Sequence, residues 1–426
     1  MTLMATAKRG IITEEMKAVA EAENQLAEAI CRRLAKGSLV IPRNLNRTNV
    51  KSVGIGEGLR TKVNANIGTS TDLIDFKKEL EKAKVAVEAG ADTIMDLSVG
   101  GDLDEIRRLI LKETSVPVGT VPIYQAAVGA IQKKGAIVHM SEDDVFNAIE
   151  KHAKAGVDFI TVHCGVTERS LGELLKQGRV LDIVSRGGSF HAAWILHNKK
   201  ENPLYSNFDY LLELAQEYEL TLSLGDGMRP GCIADAMDRP MIEETIILGE
   251  LVDRAREKNV QTIVEGPGHV PLNQVEASVL SAKKLSKNAP LYLLGPVVTD
   301  IAPGYDHIVS AIGAAVASAA GADFICYVTP AEHLALPDIK DVREGVIASR
   351  IAAHIGDIVK GIGAEYDLAM AKARKAQDWS KQIELAINSK RAQGYREKCL
   401  PKNPRVCTMC GDVCAIKIIK ENLRKC

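Results

Sequence analysis

Between residues 62 and 330 two arrangements of apolar and polar positions alternate along the chain. One is a short, β-branched apolar run that ends in glycine or a polar residue. The other is longer, with apolar residues three and four positions apart. The short runs are KVNANIG from Lys62, DTIMDLS from Asp92, PVGTVPIY from Pro117, FITVHCG from Phe159 and LDIVSRGG from Leu181. They continue with LTLSLGDG from Leu220, QTIVEGPGH from Gln261, LYLLGPVVTD from Leu291 and DFICYVTP from Asp323. Stretches such as FKKELEKAKVAVEAGA and IEETIILGELVDRAREKN lie between them. The short runs predict strands and the long ones amphipathic helices.

Strand followed by helix, many times over, predicts an α/β fold with a parallel sheet covered by helices. A doubly wound open sheet competes with a (βα)8 TIM-like barrel. The runs end in or run on to chemically useful residues: Asn66, Asp96, Tyr124, His163, Arg186, Asp226, Glu265 and Asp300. A barrel gathers such ends on one face, whereas an open sheet uses one crevice, so the barrel is expected. It needs only eight of the runs, leaving one as an accessory strand. Residues 1–60 form a leader with a helical start and an extended VIPRN, and 61–340 the barrel. Beyond 340 the strand pattern stops. Residues 341–398 read as a helical C-terminal domain and 399–426 as a mobile tail.

Composition narrows the classes of partner. The 426 residues are 46% hydrophobic and 26% charged, with a net charge of −1. That balance gives no global attraction to nucleic acid or to an anionic membrane. No apolar run approaches the roughly 20 residues of a spanning helix, and the first residues lack a signal-peptide core. A cytoplasmic protein is expected.

Of nine cysteines, Cys399, Cys407, Cys410, Cys414 and Cys426 fall within the last 28 positions. Terminal clustering in a large, reducing-compartment protein points to a metal site before disulfides. Cys407, Cys410 and Cys414 are spaced C-x2-C-x3-C. Three thiolates can hold a [4Fe–4S] cluster and leave one iron open. Such an iron is what the amino and carboxylate groups of S-adenosylmethionine require. A structural zinc knuckle completed by Cys399 or Cys426 fits the spacing equally.

The strings VNANIGTS, IMDLS, GTVPIYQ, IVSRGGS, SLGDGMRPG, VEGPGHVP, LGPVVTDIAPGYDH and CYVTPAEHL, followed by CTMCGDVC, cover essentially the whole chain. Together they resemble the phosphomethylpyrimidine synthase (ThiC) family of radical S-adenosylmethionine enzymes. The resemblance implies a barrel, a helical C-terminal domain and a homodimer whose cluster-bearing tail reaches the partner's active site. Its substrate is aminoimidazole ribotide, with an electron donor of flavodoxin or ferredoxin type. Matched by motif, the substrate contacts are Asn66, Met95, Tyr124, His163, Ser185, Arg186, Gly187, Asp226, Gly227, Met228, Arg229, Glu265 and Tyr292. His269 and His333 match two ligands of a divalent, zinc-like metal, with His307 the nearest decoy. Cys407, Cys410 and Cys414 match the cluster ligands. On their own terms, Ser185 to Gly188 supply a guanidinium, a hydroxyl and close backbone N–H groups suited to phosphate, or a plain turn. Asp226 and Arg229 suit a local ion pair as well as a substrate contact.

Several positions depart from the thiamin-branch pattern: Val99 for threonine, Met237 for a small polar residue, Ser286-Lys287 for Cys-His and Ala371 for serine. With Val99, Met237 and Ser286 taken as pocket wall, the expected product is 5-hydroxybenzimidazole, the lower-ligand base of some cobamides. Hydroxymethylpyrimidine phosphate for thiamin is the alternative, and a ribotide-binding relative without turnover is the non-enzyme reading.

Overall fold

A computed structural model describes residues 1–423; Cys426 lies outside them. Eight parallel strands close into a barrel. They are β1 (Lys62–Ile67), β2 (Thr93–Asp96), β3 (Val118–Thr120), β4 (Phe159–Val162), β5 (Thr221–Leu224), β6 (Thr262–Gly266), β7 (Leu291–Leu294) and β8 (Phe324–Cys326). Each pairs with the next in sequence, and β8 returns to β1. The register sets Asn66 beside Met95 and Glu265 beside Tyr292. Cys326 lies between Asn64 and Leu294. Neighbouring strands therefore deliver their polar residues at similar heights.

Aromatic rings pack inside the lower barrel. Phe159 and Phe324 are fully buried and meet edge to face at 6.4 Å, a geometry that suits the aromatic quadrupole. Gly119 faces the Phe159 ring, where a Cβ would collide with it. Tyr292 stacks on Phe324 at 4.2 Å, so the aromatic plug ends in a hydroxyl that points the way to a polar layer.

One of the nine runs, LDIVSRGG, is not a strand. Val180 and Leu181 donate their N–H groups to the Asp235 carboxylate at 2.9 and 3.0 Å, which replaces a sheet ladder. Val180 and Val184 stay exposed, so the β-branched residues there have no sheet to pack against. Ser185 then caps the helix Arg186–Asn198 by accepting from Gly188 N at 3.1 Å. Arg186 consequently arrives on a helix N-terminus rather than on a strand end.

Residues 1–60 place three helices, Leu3–Lys8, Glu14–Ala22 and Ala27–Lys36, against a two-stranded ribbon of Leu39–Val40 and Ile55–Gly56. This leader has its own small core around Met16, Ile30, Leu34 and Leu39. It is stitched to the barrel wall by Asn44, whose Nδ2 donates to Ala153 O and Val157 O at 2.8 Å. Arg47 adds a buried ion pair with Asp158 and donates to Thr114 O at 2.7 Å.

The chain divides into compact units at 1–356 and 357–426. The second unit holds helices Ala364–Ala376, Trp379–Leu385 and Ser389–Lys398. The segment read from the sequence as a mobile tail carries a 3-10 turn at Gly411–Val413 and a helix at Ala415–Leu423. Ile416, Ile419 and Leu423 recur there at helical spacing. No helix among the described residues is long and apolar enough to cross a membrane.

Candidate active site

A cavity of about 80 Å³ opens at the C-terminal ends of the barrel strands, and all eight strands or the loops that follow them line it. Asn66, Met95, Tyr124, Thr161, His163, Asp226, Arg229, Glu265, Tyr292 and Cys326 face it. Eight of the residues expected from the sequence therefore meet in one place. A larger groove of about 380 Å³ elsewhere, between outer helices, contains none of them.

Hydrogen bonding within the cavity wall is extensive. Glu265 Oε1 accepts from Thr161 Oγ1 at 2.8 Å and from Ser223 Oγ at 2.6 Å. Burial pushes its carboxyl above the usual range, and those two hydroxyls pull the other way. Arg229 Nη1 donates to Asp226 Oδ1 at 3.0 Å. Burial raises Asp226 to about 8 although Arg229 opposes the shift, and Glu265 adds to it. On the adjoining strands Asn64 Nδ2 donates to the Tyr292 hydroxyl at 2.8 Å, while Asn66 Nδ2 lies 3.0 Å from Cys326 Sγ. Tyr327 donates its hydroxyl to Asn66 O at 2.6 Å and fixes the strand end.

His163 and the helix Arg186–Asn198 form the next part. A Cβ at Gly187 would overlap the His163 ring, so only glycine lets the helix N-terminus approach the imidazole. His163 Nδ1 is buried without a partner, a free polar atom that calls for a ligand or water. The Arg186 guanidinium sits 5.0 Å above the Tyr124 ring, beside backbone N–H groups of the first helical turn. That is an anion site in form. Gly227 and Met228 behave differently from their neighbours. The Met228 side chain is fully buried away from the cavity, and its N–H donates to Glu244 Oε2 at 2.8 Å. Gly227 packs against Val166 and Gly188.

His269 and His333 stand apart from the cavity residues as a pair, ring centroids 5.3 Å apart. His307 does not join them; its Nδ1 is buried without a partner. In the second unit Cys407, Cys410 and Cys414 are free thiols on one short turn. Gly411 N donates to Cys407 O at 3.0 Å, and Arg396 donates to Val406 O at 2.8 Å, which pins the chain entering the turn. Among the described residues no three His, Cys, Asp or Glu side chains are grouped closely enough to hold an ion. The donor set nevertheless fits a cluster: three uncombined thiols within eight residues.

The Radical SAM ThiC family model matches residues 2–421. The chain belongs to that family. It is 59% identical over 427 residues to the phosphomethylpyrimidine synthase of Desulforamulus reducens, covering 100% of this chain and 99% of that one. It is 59% identical over 422 residues to phosphomethylpyrimidine synthase 1 of Methanothermobacter thermautotrophicus, covering 99% and 98%. For the enzyme of Thermoanaerobacter sp. strain X514 the figures are 60% over 425 residues, covering 99% and 98%. As a ThiC-family member the chain is a radical S-adenosylmethionine enzyme acting on aminoimidazole ribotide. Its cofactors are a [4Fe–4S] cluster and S-adenosylmethionine.

Two groups of ThiC residues need relocating after the sequence reading. Val99, Met237 and Ser286, expected as pocket wall, do not line the cavity. Ser286 ends the helix before β7, where its hydroxyl turns back to Lys283 O at 3.5 Å; that connection lies at the barrel's other end. Thr161, Ser223, Asn64, Cys326 and Glu244 were missed. The first two are hydroxyls at inward positions of apolar strands, FITV and LTLSL, and that interruption was the available signal.

Proposed function

We propose that the protein is a phosphomethylpyrimidine synthase, converting aminoimidazole ribotide to hydroxymethylpyrimidine phosphate in the cytoplasm. The observation that carries this reading is the identity of 57–60% over 98–99% of the length of curated relatives that bear that name. The names of those relatives favour this product over 5-hydroxybenzimidazole, and Val99, Met237 and Ser286 do not line the cavity.

In this reading the barrel binds and orients the ribotide. Arg186, the Ser185 to Gly188 backbone and His163 take the phosphate end. Asp226, Arg229 and Glu265 hold the aminoimidazole and ribose hydroxyls, and Asn66, Tyr124 and Tyr292 fix the remaining edge. Met95 supplies apolar contact. Gly227 and Met228 shape the loop that carries Asp226 and Arg229. Cys407, Cys410 and Cys414 hold the cluster, which together with S-adenosylmethionine supplies the 5′-deoxyadenosyl radical. His269 and His333 hold one divalent metal. A homodimer supplied by a flavodoxin- or ferredoxin-type donor completes the system.

Anaerobic turnover of aminoimidazole ribotide with the reconstituted enzyme, read by mass spectrometry, tests the proposal. Hydroxymethylpyrimidine phosphate is the expected product. Release of 5-hydroxybenzimidazole in its place, or no 5′-deoxyadenosine at all, would overturn it.

A further inference from the structure

His269 and His333 are each tied through the same ring atom to a carboxylate. His269 Nδ1 lies 2.8 Å from Asp300 Oδ1, and His333 Nδ1 lies 3.1 Å from Asp306 Oδ1. An ionised carboxylate only accepts hydrogen bonds, so each Nδ1 carries the proton and each Nε2 keeps a lone pair. Asp300 lies in the connection between β7 and the helix Asp306–Ala320, and Asp306 opens that helix.

That connection is itself anchored. Asp300 Oδ2 accepts from Ile233 N at 3.0 Å, and Asp306 Oδ2 accepts from Gly304 N at 3.1 Å. The histidine backbones are constrained as well. His269 bridges to Val297 in the same connection, and Val297 N donates to Gly268 O at 2.7 Å. His333 has φ +62, a left-handed conformation that a side-chain-bearing residue holds only when its surroundings enforce it.

We infer that Asp300 and Asp306 are positioning residues for a two-histidine metal site, fixing His269 and His333 in the tautomer that presents Nε2 to the ion. The inference rests on the metal reading proposed above and goes past it, since it assigns part of the site's affinity to two carboxylates within residues 300–306. Outer carboxylates of this kind set ring orientation and ligand basicity, and losing one typically lowers metal affinity about 10- to 100-fold.

The test uses the full chain with Cys399, Cys407, Cys410, Cys414 and Cys426 changed to serine, so that cobalt(II) cannot collect on the C-terminal thiolates. Cobalt affinity is measured by equilibrium dialysis, and the visible bands are recorded at saturation. Asp300→Asn and Asp306→Asn keep an acceptor but lose the charge. Each is expected to weaken cobalt about 10- to 100-fold and to shift the bands; because one amide oxygen cannot serve both the ring N–H and the backbone N–H, the metal-free melting temperature falls slightly. Parental affinity and bands in both variants would overturn the inference while cobalt still depends on the histidines. An affinity loss with parental bands would also overturn it, because the residues would then hold the loop rather than the rings. If His269→Ala/His333→Ala binds cobalt as the parent does, the metal reading itself falls and takes the inference with it.

Discussion

The barrel mouth and the cysteine turn are built on opposite plans. Around the mouth most polar groups already have partners: Glu265 with Thr161 and Ser223, Asp226 with Arg229, Asn64 with Tyr292. Thr161, Ser223, Glu265, Asn64 and Tyr292 stand on barrel strands, and Asp226 and Arg229 on the loop that follows β5, the kind of rigid support that catalytic positioning requires. The turn at Cys407 to Cys414 instead lies in a small helical unit, with Cys410 exposed and all three thiols uncombined. Its order comes from backbone bonds such as Gly411 N to Cys407 O. A preorganised pocket tolerates single losses in a graded way. A three-ligand turn has no redundancy.

The sharpest break of the comparison is therefore at the turn. Replacing any one of Cys407, Cys410 or Cys414 by alanine should abolish the cluster's absorbance after reconstitution and the release of 5′-deoxyadenosine. Ribotide binding to the barrel, followed by calorimetry, should stay within about twofold. Retention of a full cluster in a single variant would mean that another thiol, Cys399 or Cys426, replaces the lost ligand.

On the barrel side, Arg186→Ala removes a charged donor from the anion site. Hydrogen bonds to charged groups contribute about 1.5–3 kcal/mol, so the dissociation constant for the ribotide should rise about 10- to 100-fold. The cluster's spectrum should be unaffected. A Kd unchanged by this variant would place the phosphate elsewhere.

Glu244 sharpens the comparison within the barrel. It is a buried carboxyl whose Oε2 accepts the N–H of Met228, directly between Asp226 and Arg229 in sequence. Burial raises its pKa well above the ordinary value, while the backbone N–H groups of Met228 and Gly227 pull the other way. Glu244→Ala leaves a buried N–H without an acceptor, a cost of about 1–3 kcal/mol. The apparent KM for the ribotide should rise severalfold. Glu244→Gln, which keeps a carbonyl oxygen, should recover most of that loss.

The parts of this arrangement that could be read in advance share a property: their signal is local. The eight barrel strands are apolar runs, and strand, order and chemistry coincide at the ends that carry Asn66 and Glu265. LDIVSRGG misled because its β-branched residues satisfy a strand pattern, yet its N–H groups go to Asp235, more than 50 residues away. The carboxylates beside His269 and His333 were equally hidden, at separations of 31 and 27 residues. Ser286 shows the converse error. A departure in sequence carries no position in space, and a helix-to-strand connection places it away from the mouth.

The smallest expected effect is a pH dependence at Asp226, which tests whether the mouth is as dry as its hydrogen bonds imply. Burial raises this carboxyl to about 8 against the pull of Arg229, whereas in an unfolded chain it titrates near 3.9. Between those values the native state holds a proton that the unfolded state has released. Stability from this group is therefore complete below the unfolded pKa and is lost as pH rises through the folded one. Asp226→Asn cannot titrate and retains an acceptor for Arg229. The melting temperature of the parent minus that of the variant should fall between pH 5 and pH 8 and level off above it. The slope is bounded by about 1.4 kcal/mol per pH unit, which for a chain of this size is on the order of 2 °C per unit. If Arg229 instead kept the carboxylate ionised throughout, the difference would be flat above pH 5. The mouth would then be a wet ion pair in place of a neutral acid beside a guanidinium.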